Sequence, residues 1–235
     1  QAIGQEALSA EDGHGKNIAI GSLTLQSQNA GADAYNVAIG YNAGLSVISG
    51  TQNVLVGGTT GDALTDGNNN VAIGHAALSS ETRGDRNVAV GNFALNAQNN
   101  TSDTDSYNTA VGHNAGLSVS TGIQNTLIGG LAGDALTTGN YNVALGYNSL
   151  GATNVGAKNT AVGNFALNEN VRTNNNVAIG QQALQSLVGD GSTDNQETYN
   201  TAVGYFAGKS VTTAINNTLI GAAAGDALTT GGDNV

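Results

Sequence analysis

A five-residue phrase returns through this chain with a 17-residue period: Asn, a β-branched residue, Ala or Leu, an aliphatic residue, then Gly. It reads NIAIG at Asn17, NVAIG at Asn36, NVLVG at Asn53, NVAIG at Asn70, NVAVG at Asn87 and NTAVG at Asn108. It continues as NTLIG at Asn125, NVALG at Asn142, NTAVG at Asn159, NVAIG at Asn176, NTAVG at Asn200 and NTLIG at Asn217. Nine of the twelve intervals between Asn17 and Asn234 are 17 residues, and the others are 19, 21 and 24. Offsets below count from the leading Asn as zero.

The period is too short for a pair of helices and shows no 3.6-residue pattern. Short runs of Val, Ile and Thr bounded by Asn and Gly read as strands. The expectation is therefore an all-β fold, a parallel β-solenoid of about thirteen 17-residue coils, each holding two short strands and two turns. Residues 1–235 read as one continuous repeat region, cut within a repeat at both ends. Stacking at the strand spacing makes a rod ~60 Å long.

Neighbouring side chains of a strand point to opposite faces. Val37 and Ile39 share one face and Ala38 takes the other. The Ile39 offset is always Ile, Val or Leu, which marks it as the deepest core position. The Ala38 offset is always Ala or Leu, so the second face is apolar too and is expected to pack within the coil or against another chain. A 17-residue coil buries little by itself, and this points to a homotrimer. Identical Asn residues stacked coil on coil suit a hydrogen-bond ladder, and Gly40 and its equivalents suit a tight bend or close backbone approach.

At offset +8 the residue is Leu in six coils and Gly in six. Where it is Gly, offset +11 is apolar (Val47, Leu64, Val119, Leu136, Val211, Leu228); where it is Leu, offset +11 is polar in five of six coils. One core slot filled from either of two positions explains the alternation, since close packing conserves volume.

The three long intervals hold insertions at residues 28–34, 97–106 and 188–198, each followed by Tyr-Asn. They carry much of the acidic charge. Because rod positions are constrained by stacking, recognition is expected in these loops. The candidate binding residues are Asp33, Tyr35, Asp103, Asp105, Tyr107, Asp190, Asp194, Glu197 and Tyr199. The competing reading is that the tyrosines plug the gap left by each insertion.

Composition removes other classes. A net charge of -11, with six scattered Lys and Arg, excludes a nucleic-acid partner. No apolar run is long enough for a transmembrane helix, so direct membrane insertion is not expected. With no Cys there is no thiol nucleophile or cysteine metal site. His75 and His113 lie two coils apart, too far to share a metal with each other. Asp62, Asp134 and Asp226 lie four or five coils apart, too far to act as paired carboxylates. The acidic loops lack the spacing of a dedicated calcium loop. The chain reads as a non-enzyme with no cofactor.

The phrase Asn-Val-Ala-Ile-Gly with a small residue at offset +7 resembles the head repeats of trimeric autotransporter adhesins of the YadA type. The run Asn200-Thr-Ala-Val-Gly-Tyr-Phe-Ala-Gly is similar to repeats of phage tail fibres. The resemblance spans the whole chain, although the coil is longer than in those adhesin heads and carries insertions. It implies a left-handed β-roll, three chains side by side, the second apolar face at their interface, and a location on a bacterial or virion surface. The function implied is an extracellular adhesive fibre segment presenting loops to a host-cell receptor or glycan. The alternative is a tail-fibre shaft or a spacer filament that binds nothing.

Overall fold

The computed structural model describes residues 1–235 except Asp12, His14 and residues 192–195. Among the described residues it is all-β, a parallel β-solenoid of about 13 coils. The chain divides into two compact units, Gln1–Asn114 and Ala115–Val235. The first holds β1 (Ala2–Ile3), β2 (Ile18–Ile20), β3 (Val37–Ile39), β4 (Val54–Val56), β5 (Val71–Ile73), β6 (Gly84–Asp85), β7 (Val88–Val90), β8 (Thr104–Asp105) and β9 (Thr109–Val111). The second holds β10 (Thr126–Ile128), β11 (Val143–Leu145), β12 (Thr160–Val162), β13 (Thr173–Asn174), β14 (Val177–Ile179), β15 (Gln196–Glu197), β16 (Thr201–Val203) and β17 (Thr218–Ile220). Within each unit the three-residue strands stack in chain order, parallel and in register, so that Ala72 faces Ala89 and Ala144 faces Ala161. The short pairs β6–β8 and β13–β15 form separate two-stranded sheets.

Register is fixed by the leading asparagines. The backbone N–H of Asn36 donates to Asn17 Oδ1 at 2.8 Å, and Asn53, Asn70, Asn87 and Asn108 each repeat the bond to the coil before. In the second unit the ladder runs from Asn125 to Asn234. The side-chain N–H₂ donates across the coil to the carbonyl at offset +14, as Asn53 does to Gly67 at 2.9 Å. One buried side chain thus satisfies a backbone donor and a backbone acceptor that no strand pairs.

Of the two strand faces, the Ala face packs within the coil, one of the two placements expected for it, while the Ile39 face expected at the centre is outward. Ala38 is fully buried and Ile39 is 38% exposed, and the Ala or Leu offset is buried in every coil with a complete strand. The flanking Val, Ile and Thr residues point outward. The expected deepest core position is an outer one because the interior is narrow: it must also hold offsets +7, +8 and +11, and Ala is what fits beside a Leu.

The second expected strand is replaced by a turn whose backbone alternates in handedness. Offsets +6 and +8 have positive φ in every coil, including Leu25 (48°), Leu95 (48°) and Phe93 (58°). Coil-to-coil bonding continues through it: Leu25 N–H donates to the Ala43 carbonyl at 3.0 Å, and Asn42 N–H to the Ser22 carbonyl at 3.1 Å. At offset +4 glycine is required. Gly91 has φ 134°, and a Cβ there would sit 2.3 Å from the Gly112 carbonyl oxygen.

The Leu/Gly alternation is a core slot, and it has a third source of volume. Leu25, Leu78, Leu95, Leu150, Leu167 and Leu184 are all fully buried, as are Val47, Leu64, Val119, Leu136 and Val211. A Cβ on Gly44 would lie 2.8 Å from both Leu25 Cδ2 and Leu55 Cδ1. The space is therefore also filled by the preceding coil's Leu and by Leu at offset +2 of the next. Gly at +8 accepts positive φ without strain, whereas Leu there fills volume at a conformational cost.

Replacing Leu95 tests both terms. Leu95→Ala and Leu95→Gly should each lose ~2–5 kcal/mol through the cavity. The Gly variant should be at least as stable as the Ala variant, because Gly relieves about 1 kcal/mol of left-handed strain. Adding Gln98→Val to Leu95→Gly should recover part of the loss. Thermal melts that rank Ala clearly above Gly, or show no recovery, contradict this.

Candidate functional site

Each insertion leaves the coil at or just after offset +10 and returns before the next Asn, and its base is tied to a neighbouring coil. At 97–106 the holder is Glu81, a fully buried carboxylate. Its Oε1 accepts the backbone N–H groups of Thr82 (2.9 Å), Arg83 (3.1 Å), Gly84 (2.8 Å) and Asn100 (2.9 Å). Its Oε2 accepts the Asn100 side chain at 3.0 Å, which also donates to Ser106 Oγ. Five donors around one carboxylate replace the water it has lost. Asn170 takes the equivalent offset in the second unit, where its Oδ1 accepts Thr173 N–H (2.9 Å) and Thr173 Oγ1 (2.8 Å). The strands β8 and β15 then pair the returning chain with β6 and β13. At 28–34 the buried Gln28 serves, its Oε1 accepting the Asn36 side chain at 2.7 Å and its amide donating to the Ile48 carbonyl at 3.2 Å. The polar residues at offset +11 of the Leu coils, Gln28, Glu81, Gln98, Thr153 and Asn170, are all buried.

The candidate side chains contact their own chain. Lys16 Nζ lies 2.8 Å from Asp33 Oδ2 and donates to the Tyr35 hydroxyl at 3.3 Å, with the Tyr35 ring centroid 5.4 Å away. The Asp33 bond, ahead of that to Tyr35, raises the Lys16 pKa above its ordinary value. Arg86 pairs with Asp105, lies 4.0 Å from Asp85 and faces the Tyr107 ring at 5.7 Å. Arg83 bridges Asp66 (3.4 Å) and Asp103 (3.8 Å). The Tyr199 hydroxyl donates to Glu197, and that bond raises its pKa. Asp190 N–H donates to Gln196 Oε1 at 2.8 Å. Asp194 lies outside the described residues. The structure thus joins an acidic residue to the Tyr two positions later at Tyr35 and Tyr199, and a cation to the Tyr ring at Tyr35 and Tyr107. Tyr35, Tyr107 and Tyr199 remain about half exposed.

Asp62 and Asp134, at one offset of two different coils, each keep a buried Oδ1 with no hydrogen-bond partner. Desolvation raises the pKa of both above the usual carboxylate value. Among the described residues no group of three metal-ligating side chains comes together, and no helix is long and apolar enough to cross a membrane.

Sequence reasoning passed over the remaining aromatic residues. All seven Tyr and three Phe occupy only three offsets: −1 (Tyr35, Tyr107, Tyr141, Tyr199), +5 (Tyr41, Tyr147, Tyr205) and +6 (Phe93, Phe165, Phe206). Those offsets flank the outward strand face on either side. The clue was their fixed position in the repeat. No protein-family model, curated protein or solved structure matches the chain.

Glu81→Ala should orphan the buried donors at the base of the 97–106 insertion and cost about 3 kcal/mol or more. Trypsin should then cut faster after Arg83 and Arg86, which mass spectrometry resolves because the chain holds only six Lys and Arg. An unchanged melt and cleavage rate would show that the carboxylate does not hold the insertion.

Proposed function

We propose that this chain is a non-catalytic segment of an extracellular adhesive fibre, assembled as a homotrimer and displayed on a bacterial cell or a virion. The carrying observation is the outward strand face. In the first unit it presents Ile18, Ile20, Ile39, Ile73 and their Val and Thr neighbours; in the second, Val143, Leu145, Ile179 and Ile220. Offsets +1 and +3 carry no charged residue in any coil. A contiguous uncharged face of β-branched residues is costly in water and favours association with a like surface. This relocates the proposed interface from the Ala38 side, which is interior, to the Val37 and Ile39 side. Adhesion is assigned to the insertions, which lie outside the stacking frame and would recur around a trimer, so that weak contacts add through multivalency.

The internal pairing of Asp33, Asp105 and Glu197 with Lys16, Arg86 and Tyr199 favours a second reading, a spacer or tail-fibre shaft whose loops are self-satisfied.

Sedimentation equilibrium of an end-capped chain at micromolar concentration should give three times the chain mass. Val88→Lys with Val90→Lys on the outward face should reduce it to monomer. A stable wild-type monomer contradicts the assembly. A variant with the three long intervals trimmed to 17 residues, Tyr-Asn junctions kept, should stay folded. It should also lose any adhesion the parent shows to cultured cells. Full binding by the trimmed chain would move adhesion off the insertions.

A further inference from the structure

In the second unit the edge of the strand face carries two ring clusters separated by amides. Tyr147 and Phe165, from adjacent coils, meet edge to face with centroids 5.5 Å apart. Tyr205 and Phe206 stack at 3.8 Å. Between the clusters the same edge presents Asn164 and Gln181, both exposed. Tyr147 and Tyr205 are each about half exposed. The backbone under the rings is fixed: Tyr147 N–H donates to Asn164 Oδ1 at 3.1 Å, Phe165 N–H to the Tyr147 carbonyl at 3.0 Å, and Phe206 N–H to the Gln181 carbonyl at 3.0 Å. Lys209 Nζ sits 4.3 Å from the Phe206 centroid at one end, and the edge offers no other charge.

We propose that this edge binds an extended, neutral polysaccharide lying along the direction in which the coils stack. Three features select that ligand. Flat, half-exposed rings present an apolar face to the C–H faces of a sugar while the Tyr hydroxyl stays in water. Asn and Gln amides donate and accept, as sugar hydroxyls require. Coils repeat at the strand spacing of ~4.8 Å, close to the advance of one hexose in an extended polysaccharide, so Tyr147 and Tyr205, three coils apart, meet sugars in a constant register. The overall charge of -11 disfavours an anionic glycan. The site is independent of the insertions and of the adhesive reading built on them.

With no Trp in the chain, tyrosine emission reports binding directly. Hexaoses of β-1,4-linked glucose and of β-1,4-linked mannose are titrated in parallel with a galacturonate hexaose and with a glucose trimer. At least one neutral hexaose should bind with sub-millimolar affinity, more tightly than the trimer, and the galacturonate should bind worse. Tyr147→Ala and Tyr205→Ala should each weaken binding about fivefold to tenfold at unchanged circular dichroism. Gln181→Glu should weaken it without touching a ring, and the trimmed-insertion variant should bind like the parent. Failure of both neutral hexaoses to bind at millimolar concentration overturns the proposal. So does equal binding by the galacturonate, or binding that survives loss of both tyrosines. Binding that disappears with the insertions would assign the sugar to the loops and overturn it equally.

Discussion

The bond from each Asn N–H to the side-chain oxygen of the Asn one coil earlier holds this architecture in register. Strands of three residues supply too few backbone bonds to fix a register by themselves, and a one-residue slip would turn every inward Ala outward. The ladder supplies the missing specification at one point per coil. It also dictates where the chain can vary. Any extra residues must leave and return without displacing the next Asn, and all three insertions do so between offset +10 and the residue before the Asn. Holding such loops closed adds little entropy cost for a few extra residues. Buried Gln28 and Glu81 seat the bases of the first two, and backbone bonds from Gln196 to Arg172 and from Thr198 to Asn174 seat the third.

A second constraint follows from the narrow interior. The turn opposite the strand runs through left-handed backbone at offsets +6 and +8, so each coil accepts strain at Leu or removes it with Gly. Neighbouring coils then exchange volume. Gly44 yields its space to Leu25 from one side and Leu55 from the other, and Gly208 does the same for Leu184 and Leu219. Coil types accordingly run in blocks, since a Gly coil needs a Leu beside it. Packing across coils thus couples sequence choices 17 residues apart.

The period, the parallel stacking, the role of the leading Asn and the need for Gly40 were legible in the sequence because each is a statement about repetition. Which face of β3 is inside was not. Val37, Ala38 and Ile39 are all apolar, so alternation gave no sign, and size pointed the wrong way: the larger residues are outside because the narrow interior takes Ala at this offset, or Leu only in coils where offset +8 is Gly. The left-handed φ of Leu25 and Leu95 was hidden as well, since Leu carries no mark of it; only its exchange with Gly hinted at a position where Gly is at ease. Glu81 could not be read as buried from its type, because its five partners are mostly backbone N–H groups, which leave no trace in side-chain identity. The loop residues were found, but their ion pairs with Lys16, Arg83 and Arg86 come from coils earlier in the chain.

A side-chain ladder, more than the three-residue strands, specifies the stack. Residue-resolved native-state hydrogen exchange on the intact chain and on Asn142→Ala tests it most directly. In the intact chain the Asn159 N–H, bonded to Asn142 Oδ1 at 3.0 Å, should exchange as slowly as the strand amides beside it. In Asn142→Ala that N–H is left buried without a partner, so its protection should collapse and the unit should lose about 1–3 kcal/mol of stability. Protection at Asn159 that persists in the variant, with stability unchanged, would contradict the account and leave register to the strands alone.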